Sequence, residues 1–270
     1  MRSLKIKDSM KNADGTMSRA EEHRGGYGAP SPRIIGIGCN GIGIGGKDAP
    51  IGKFPYQVSL RYNGKHYCGG SILNNRNILT AALCVGRFKD MLYTIKAHVG
   101  TNFLNESGDV YDIESVSIHK DYIMGDIRLY DIALVHLETP INYNELVQPI
   151  NLTTSDENLD GKSCTLSEWD YTTNDEEVSN NLQEIDLSVY PQKKCEKLWG
   201  AKNTQICTLT RKGAGMCDGD YYDTGSPLVA NGTQIGIISS FLVCEMGMGH
   251  PNVDTRVSSF LIWIMANLKN

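Results

Sequence analysis

The sequence predicts an all-β body closed by one C-terminal helix. Three observations carry that expectation. Short β-rich runs alternate with turn clusters from about Lys47 onward, helical periodicity is confined to the C-terminal end, and no run approaches the ~18 apolar residues of a membrane span. In chain order the β runs are residues 56–61 (YQVSLR), 77–81 (NILTA), 94–99 (TIKAHV), 131–137 (DIALVHL), 165–169 and 234–239. Many short strands separated by turns fold as a sandwich or a barrel. At the end, Leu261, Ile264, Met265 and Leu268 follow the i, i+3, i+4, i+7 spacing of one helix face, with Ser258 or Ser259 placed to cap it.

The bulk numbers suit one large all-β domain or two smaller ones. The 270 residues are 40% hydrophobic and 21% charged, an ordinary balance that can fill a core. A net charge of −5 argues against nucleic acid and anionic membrane as partners, since both demand a basic surface. The eight cysteines, Cys39, Cys68, Cys84, Cys164, Cys195, Cys207, Cys217 and Cys244, include no CxxC pair, so neither a zinc site nor any other cofactor is expected. An even number of scattered cysteines suits disulfides and an oxidising, extracellular compartment. The sequons at Asn105, Asn151 and Asn231 agree with a secretory route. Residues 1–10 (MRSLKIKDSM) hold no apolar signal-peptide core, so either a signal lies outside this sequence or its start is not the natural one.

Residues 1–33 are polar and rich in Gly, Ser, Lys and Glu, and read as a disordered or propeptide-like leader. Gly41, Gly43 and Gly46 spell the dinucleotide-binding GxGxxG pattern. That motif requires a strand before it and a helix after it. Here Lys47-Asp48-Ala49-Pro50 follows without helical periodicity, so a glycine-rich segment is the better reading.

Several ordered blocks carry a more specific signal. They are Gly46-Lys47-Asp48-Ala49-Pro50 followed by FPYQVSL, Cys68-Gly69-Gly70-Ser71-Ile72-Leu73, Leu79-Thr80-Ala81-Ala82, Asp131-Ile132-Ala133-Leu134, Pro227-Leu228-Val229, and Thr255-Arg256-Val257 with Trp263-Ile264. Together they resemble the chymotrypsin/trypsin serine proteases, those of insects in particular, from about Gly46 to Asn270. The resemblance implies two six-stranded antiparallel β-barrels with a cleft between them and a C-terminal helix. The protease-like domain is then residues 47–270, with residues 34–46 as an atypical activation segment. The same resemblance implies the pairings Cys68–Cys84, Cys195–Cys207 and Cys217–Cys244. It leaves Cys39 and Cys164 either paired with each other or free.

The mechanism of that family needs a hydroxyl nucleophile, an imidazole to accept its proton and a carboxylate to orient the imidazole. By resemblance the imidazole position is Leu83, the carboxylate position Asp131 and the nucleophile position Thr224, read leftward from Pro227; read from Cys217, Tyr221 stands there instead. Only Asp131 is retained, and without an imidazole it needs other hydrogen-bond donors. A threonine can attack only with a base beside it. His23, His66, His98, His119, His136 and His250 all lie away from the motif and read as surface or strand histidines. Tyr222 stands where the family's oxyanion-hole glycine belongs. The specificity pocket corresponds to Gly215, Ser239, Phe241 and Asn252, with Phe241 in place of a glycine at the mouth. Arg33-Ile34 resembles an activation cleavage site and Asp223 the aspartate that receives the new N-terminus, but residues 37–45 intervene. Glu168 and Asp170 flank Trp169 where the family carries glycines.

These substitutions imply a pseudoprotease that binds a protein or peptide partner. The alternative is an active serine-type endopeptidase with apolar specificity, which needs a substitute for Leu83. A third reading is the product of a decaying gene.

Overall fold

The β-rich runs become strands in the computed structural model, which describes residues 46–125, 127–155, 159–169, 178–209, 223–240 and 251–270. In chain order the elements are β1 (Lys47–Asp48), β2 (Gln57–Tyr62), β3 (Lys65–Asn74), β4 (Asn77–Thr80), α1 (Ala82–Gly86), β5 (Ile95–Val99), β6 (Asp109–Ile118), β7 (Ala133–Leu137), β8 (Asn151–Leu152), β9 (Ser163–Glu168), β10 (Gln183–Tyr190), α2 (Gln192–Trp199), β11 (Gln205–Leu209), β12 (Pro227–Ala230), β13 (Thr233–Ser240), β14 (Asn252–Arg256) and α3 (Leu261–Asn267). Short 3₁₀ turns cover Leu92–Thr94 and Val257–Phe260.

Six strands close a first antiparallel barrel in the order β2-β3-β4-β7-β6-β5. A second ring runs β9-β10-β11-β14-β13-β12 and closes through pairing of β12 with β9. β1 is added to β10, and β8 joins β13 in parallel. Closure removes the unpaired strand edges that invite aggregation. Register shifts at Leu60/Arg61, Ile72/Asn74, Ile113/Ser115, Leu228/Val229 and Ile237/Ser240 bend the strands around the barrels.

The first core is filled by Val58, Leu60, Ile72, Ile78, Leu79, Ile95, Leu134 and Leu137, and extends to Val257, Phe260 and Ile264 at the C-terminus. The second is built from Leu166, Ile185, Leu187, Ile206, Leu228, Ile235 and Ile238. Each such buried side chain contributes about 1.5–3 kcal/mol. Between the barrels the contacts are polar and directional. Ser71 Oγ donates to Gln234 Oε1 at 2.7 Å, Ser167 Oγ to Gln57 Oε1 at 2.7 Å, Gly69 N to the Thr224 carbonyl at 2.9 Å, and Thr255 Oγ1 to the Asp131 carbonyl at 2.8 Å.

Two expectations are corrected. The terminal helix starts after Phe260, with no side-chain cap, because Val257–Phe260 is a 3₁₀ turn and Ser259 Oγ donates to the Asn203 carbonyl instead. Of its apolar face only Ile264 is buried, and Met265 is 74% exposed. Two further helices, the short α1 and α2, appear in what read as an all-β body; Pro191 precedes α2, Gly200 in left-handed conformation (φ +69°) ends it, and Cys195 pins it to β11. His66, His98 and His136 are strand histidines, as expected, and are buried there; His119 stacks on Tyr130 against Phe260 and Trp263.

Candidate functional site

Of the residues picked out by resemblance, Leu83, Asp131, Thr224 and Ser239 meet where the two barrels face each other. Asp131 lies just before β7 and is wholly buried. Its Oδ1 accepts a hydrogen bond from the Leu83 backbone N–H at 2.9 Å, and its Oδ2 accepts one from Ser239 Oγ at 2.8 Å. These supply the donors that the absent imidazole leaves wanting. Burial pushes the Asp131 carboxyl above the ordinary aspartate range, while the bonds from Leu83 and Ser239 and the nearby Arg128 charge pull it back.

Leu83 sits in the first turn of α1, and the next residue, Cys84, is bridged to Cys68 on β3. This bridge holds the helix start against the strand that also carries Gly69. Gly69 N binds the Thr224 carbonyl, and Cys84 Sγ lies 3.3 Å from the same oxygen. Leu83, Asp131 and Thr224 therefore converge, with Thr224 only 1% exposed.

Local sequence explains the tight turn around Thr224. Gly225 has φ +89°, and a Cβ there would lie 2.3 Å from Thr80 Oγ1 and 2.5 Å from the Gly69 carbonyl. A Cβ on Gly69 would in turn meet the Ser226 Cα at 2.9 Å. Only glycine allows both the conformation and the approach. Asp223, at the start of this turn, is buried.

Ser239 joins two buried carboxylates. Its hydroxyl binds Asp131, its N–H donates to Asp254 Oδ1 at 3.2 Å, and its carbonyl accepts from Arg128. Asp254 also accepts from Thr208 Oγ1 at 3.2 Å, and burial pushes its carboxyl up to about 7. Asn252 opens the same strand two positions earlier, on the same face, and is buried. Sequence reasoning missed Asp254; the signal was a lone aspartate inside the otherwise strand-like run NVDTRV.

A second hydroxyl–imidazole pair lies elsewhere. Ser117 Oγ is 2.8 Å from His136 Nε2, and His136 Nδ1 is 2.8 Å from Asn77 Oδ1. Asn77 Nδ2 donates to Asn74 Oδ1 and to the Lys269 carbonyl, so Oδ1 is the acceptor and His136 Nδ1 carries the proton. His136 is five residues beyond Asp131, about 16 Å along the chain. The pair therefore stands apart from the cleft residues and secures the C-terminal segment.

Both disulfides that the described residues can test are formed, Cys68–Cys84 and Cys195–Cys207, and Cys164 is a buried free thiol whose pKa burial pushes up to about 12. Glu168 is buried at the end of β9, and Trp169 donates from Nε1 to the Asn102 carbonyl at 3.0 Å. Arg33, Ile34, Cys39, Asp170, Gly215, Cys217, Tyr221, Tyr222, Phe241 and Cys244 lie outside the described residues. Among the described residues no group of three His, Cys, Asp or Glu side chains could hold a metal, and no helix is long and apolar enough to cross a membrane.

Two closed barrels meeting at Asp131, a helix start locked by a disulfide and a buried glycine turn agree with kinship found by comparison. The trypsin family model matches residues 43–264. Chymotrypsin-2 of Vespa crabro is 46% identical over 227 residues, covering 83% of this chain and 99% of that protein. Trypsin alpha-4 of Lucilia cuprina is 29% identical over 244 residues, covering 88% and 92% respectively. Among solved structures, neuropsin, a serine protease expressed in the limbic system of mouse brain, superposes with a TM-score of 0.73 at 25% identity, over 83% of this chain and 99% of that one. The chain belongs to the trypsin family, and its fold is the chymotrypsin-like pair of barrels.

Proposed function

We propose that this member of the trypsin family is proteolytically silent and acts by binding a protein or peptide. The observation that carries the reading is the residue bonded to Asp131. Leu83 offers its backbone N–H to the carboxylate, and its side chain is purely aliphatic. An isobutyl group cannot take a proton, so Thr224, in the serine position, has no base. Loss of one key member of a catalytic triad costs about 10⁶ in rate, and further losses add little because the groups act as a unit. Tyr222, at the oxyanion-hole position, would add a factor of about 10²–10³ if one donor is lost. These magnitudes belong to the general mechanism rather than to this chain. By resemblance the specificity pocket corresponds to Gly215, Ser239, Phe241 and Asn252, and Phe241 in place of a glycine would work against entry of a large apolar side chain. Cleavage after Arg33 would leave a tail too long for the usual insertion beside Asp223, because residues 37–45 intervene in the sequence.

Likeness to a chymotrypsin at 46% identity favours a second reading, an endopeptidase of apolar specificity. The disulfides suit an oxidising, extracellular setting. Turnover of a peptide substrate with an apolar residue before the cleavage site separates the two readings. The folded chain, before and after limited tryptic cleavage, is expected to show no hydrolysis above background. Saturable turnover sensitive to a serine-protease inhibitor would establish the endopeptidase.

A further inference from the structure

We propose that the surface around Arg87 docks an acidic, apolar-flanked segment of a partner polypeptide. The inference deepens the binding reading above and rests on it. Arg87 is the C-terminal cap of α1, four residues and about 6 Å beyond Leu83. Its guanidinium lies 4.8 Å from the Phe88 ring centre and 5.6 Å from that of Tyr67. Phe88 in turn contacts Tyr62 at 5.2 Å and Tyr67 at 5.3 Å, so four side chains form one cluster. Around it Tyr62, Met91 and Tyr93 are 39%, 42% and 78% exposed. Tyrosine, methionine and arginine are the residue types that interface centres enrich.

Charge fixes the kind of occupant. The chain is acidic overall, yet three cations stand at the cluster: Lys65 pairs with Tyr62 across the β2–β3 hairpin, and Arg87 and Lys89 flank Phe88. None of the three cations forms an ion pair among the described residues. A guanidinium stacked on rings keeps its N–H edges free for a bidentate carboxylate. The Tyr67 ring faces the guanidinium, and its hydroxyl is buried with no hydrogen-bond partner among the described residues. The Cys68–Cys84 disulfide ties together the two segments that carry Tyr67 and Arg87. Such pre-organisation favours affinity.

The test is selection of a displayed random dodecapeptide library on the wild-type chain, followed by affinity measurement on Arg87→Ala and Tyr93→Ala. Both side chains are exposed, and circular dichroism melts check that the fold is kept. Enriched peptides are expected to carry Asp or Glu beside an aromatic or aliphatic residue, to bind Arg87→Ala at least tenfold more weakly, and to weaken as salt rises. Enriched peptides without acidic residues, binding to Arg87→Ala within twofold of wild type, or no enrichment at all would overturn the proposal. Peptide turnover is followed on the same preparations. Cleavage would overturn the silent reading while leaving Arg87 dependence intact, and Arg87 independence without cleavage would overturn the docking surface alone.

Discussion

Strand β7 and the two residues before it carry two hydrogen-bond networks that divide the parts of a proton relay between them. At one end Asp131 supplies a carboxylate, and Ser239 and the Leu83 N–H supply its donors, with no imidazole between. At the other end Ser117, His136 and Asn77 supply hydroxyl, imidazole and amide, with no carboxylate in hydrogen-bond reach of the ring. The first network sits at the meeting of the barrels, and the second ties the C-terminal segment to the first barrel. The difference teaches that a buried polar group persists here because its partners satisfy it, whether or not it can do chemistry. Asp131 needs no histidine to be stable, and His136 needs no substrate.

The comparison is broken most strongly by removing a carboxylate that others depend on. Asp131→Ala strands the Leu83 N–H and the Ser239 hydroxyl and is expected to cost about 2–4 kcal/mol. Asp131→Asn keeps an oxygen for Leu83, and Ser239 can rotate to accept, so its cost should stay below about 1 kcal/mol. Urea unfolding of the two variants measures both values, and equal losses would contradict the account of the first network.

His136→Phe is the matching change in the second network. It removes a partner from both Ser117 and Asn77, and Asn77 also holds the Lys269 backbone. A loss of about 1–3 kcal/mol is expected, with faster amide exchange at Lys269 as the local signature.

Acidity separates the networks by sign. Asp254 holds its proton up to about 7 in the folded chain, against about 3.9 when unfolded. The native state then binds more protons between those values, so this group lowers stability as pH rises through that window. Asp131, whose carboxyl is also raised, acts in the same direction. Burial instead lowers the His136 pKa, and those of His98 and His119, so their contribution is present above about 6.5 and is lost as pH falls below it. Asp254→Asn should remove the decline toward neutral pH, and His136→Phe should soften the loss on the acid side. Thermal melts from pH 4 to pH 8 check both slopes.

The smallest expected effect is that of Thr224→Ser. It supplies the family's nucleophile without a base, and hydrolysis of a peptide substrate should stay at background.

Much of the fold was legible because the β runs and the Cys68-Gly69-Gly70 and Asp131-Ile132-Ala133-Leu134 blocks carry local pattern. The strand limits shifted by a residue or two, as at β2 and β13. Helix α2 escaped because its apolar face is only Cys195, Leu198 and Trp199 in eight residues, although Pro191 and Gly200 marked its ends. Convergence of Leu83, Asp131 and Thr224 followed from resemblance alone, since more than ninety positions separate the last two. The donors that satisfy Asp131 were not legible, because backbone N–H groups leave no trace in sequence. Asp254 and the burial of His136 were hidden for a related reason: each is decided by partners on distant strands, Ser239 for one and Asn77 for the other.

The central claim is that the cleft holds no activated nucleophile. Fluorophosphonate labelling of the folded chain after limited tryptic cleavage, with peptide mapping of any adduct and an active serine protease as control, tests it directly. The account predicts no adduct at Thr224 while the control is labelled. A stoichiometric adduct on Thr224 would contradict it and would require a base other than Leu83 beside that hydroxyl.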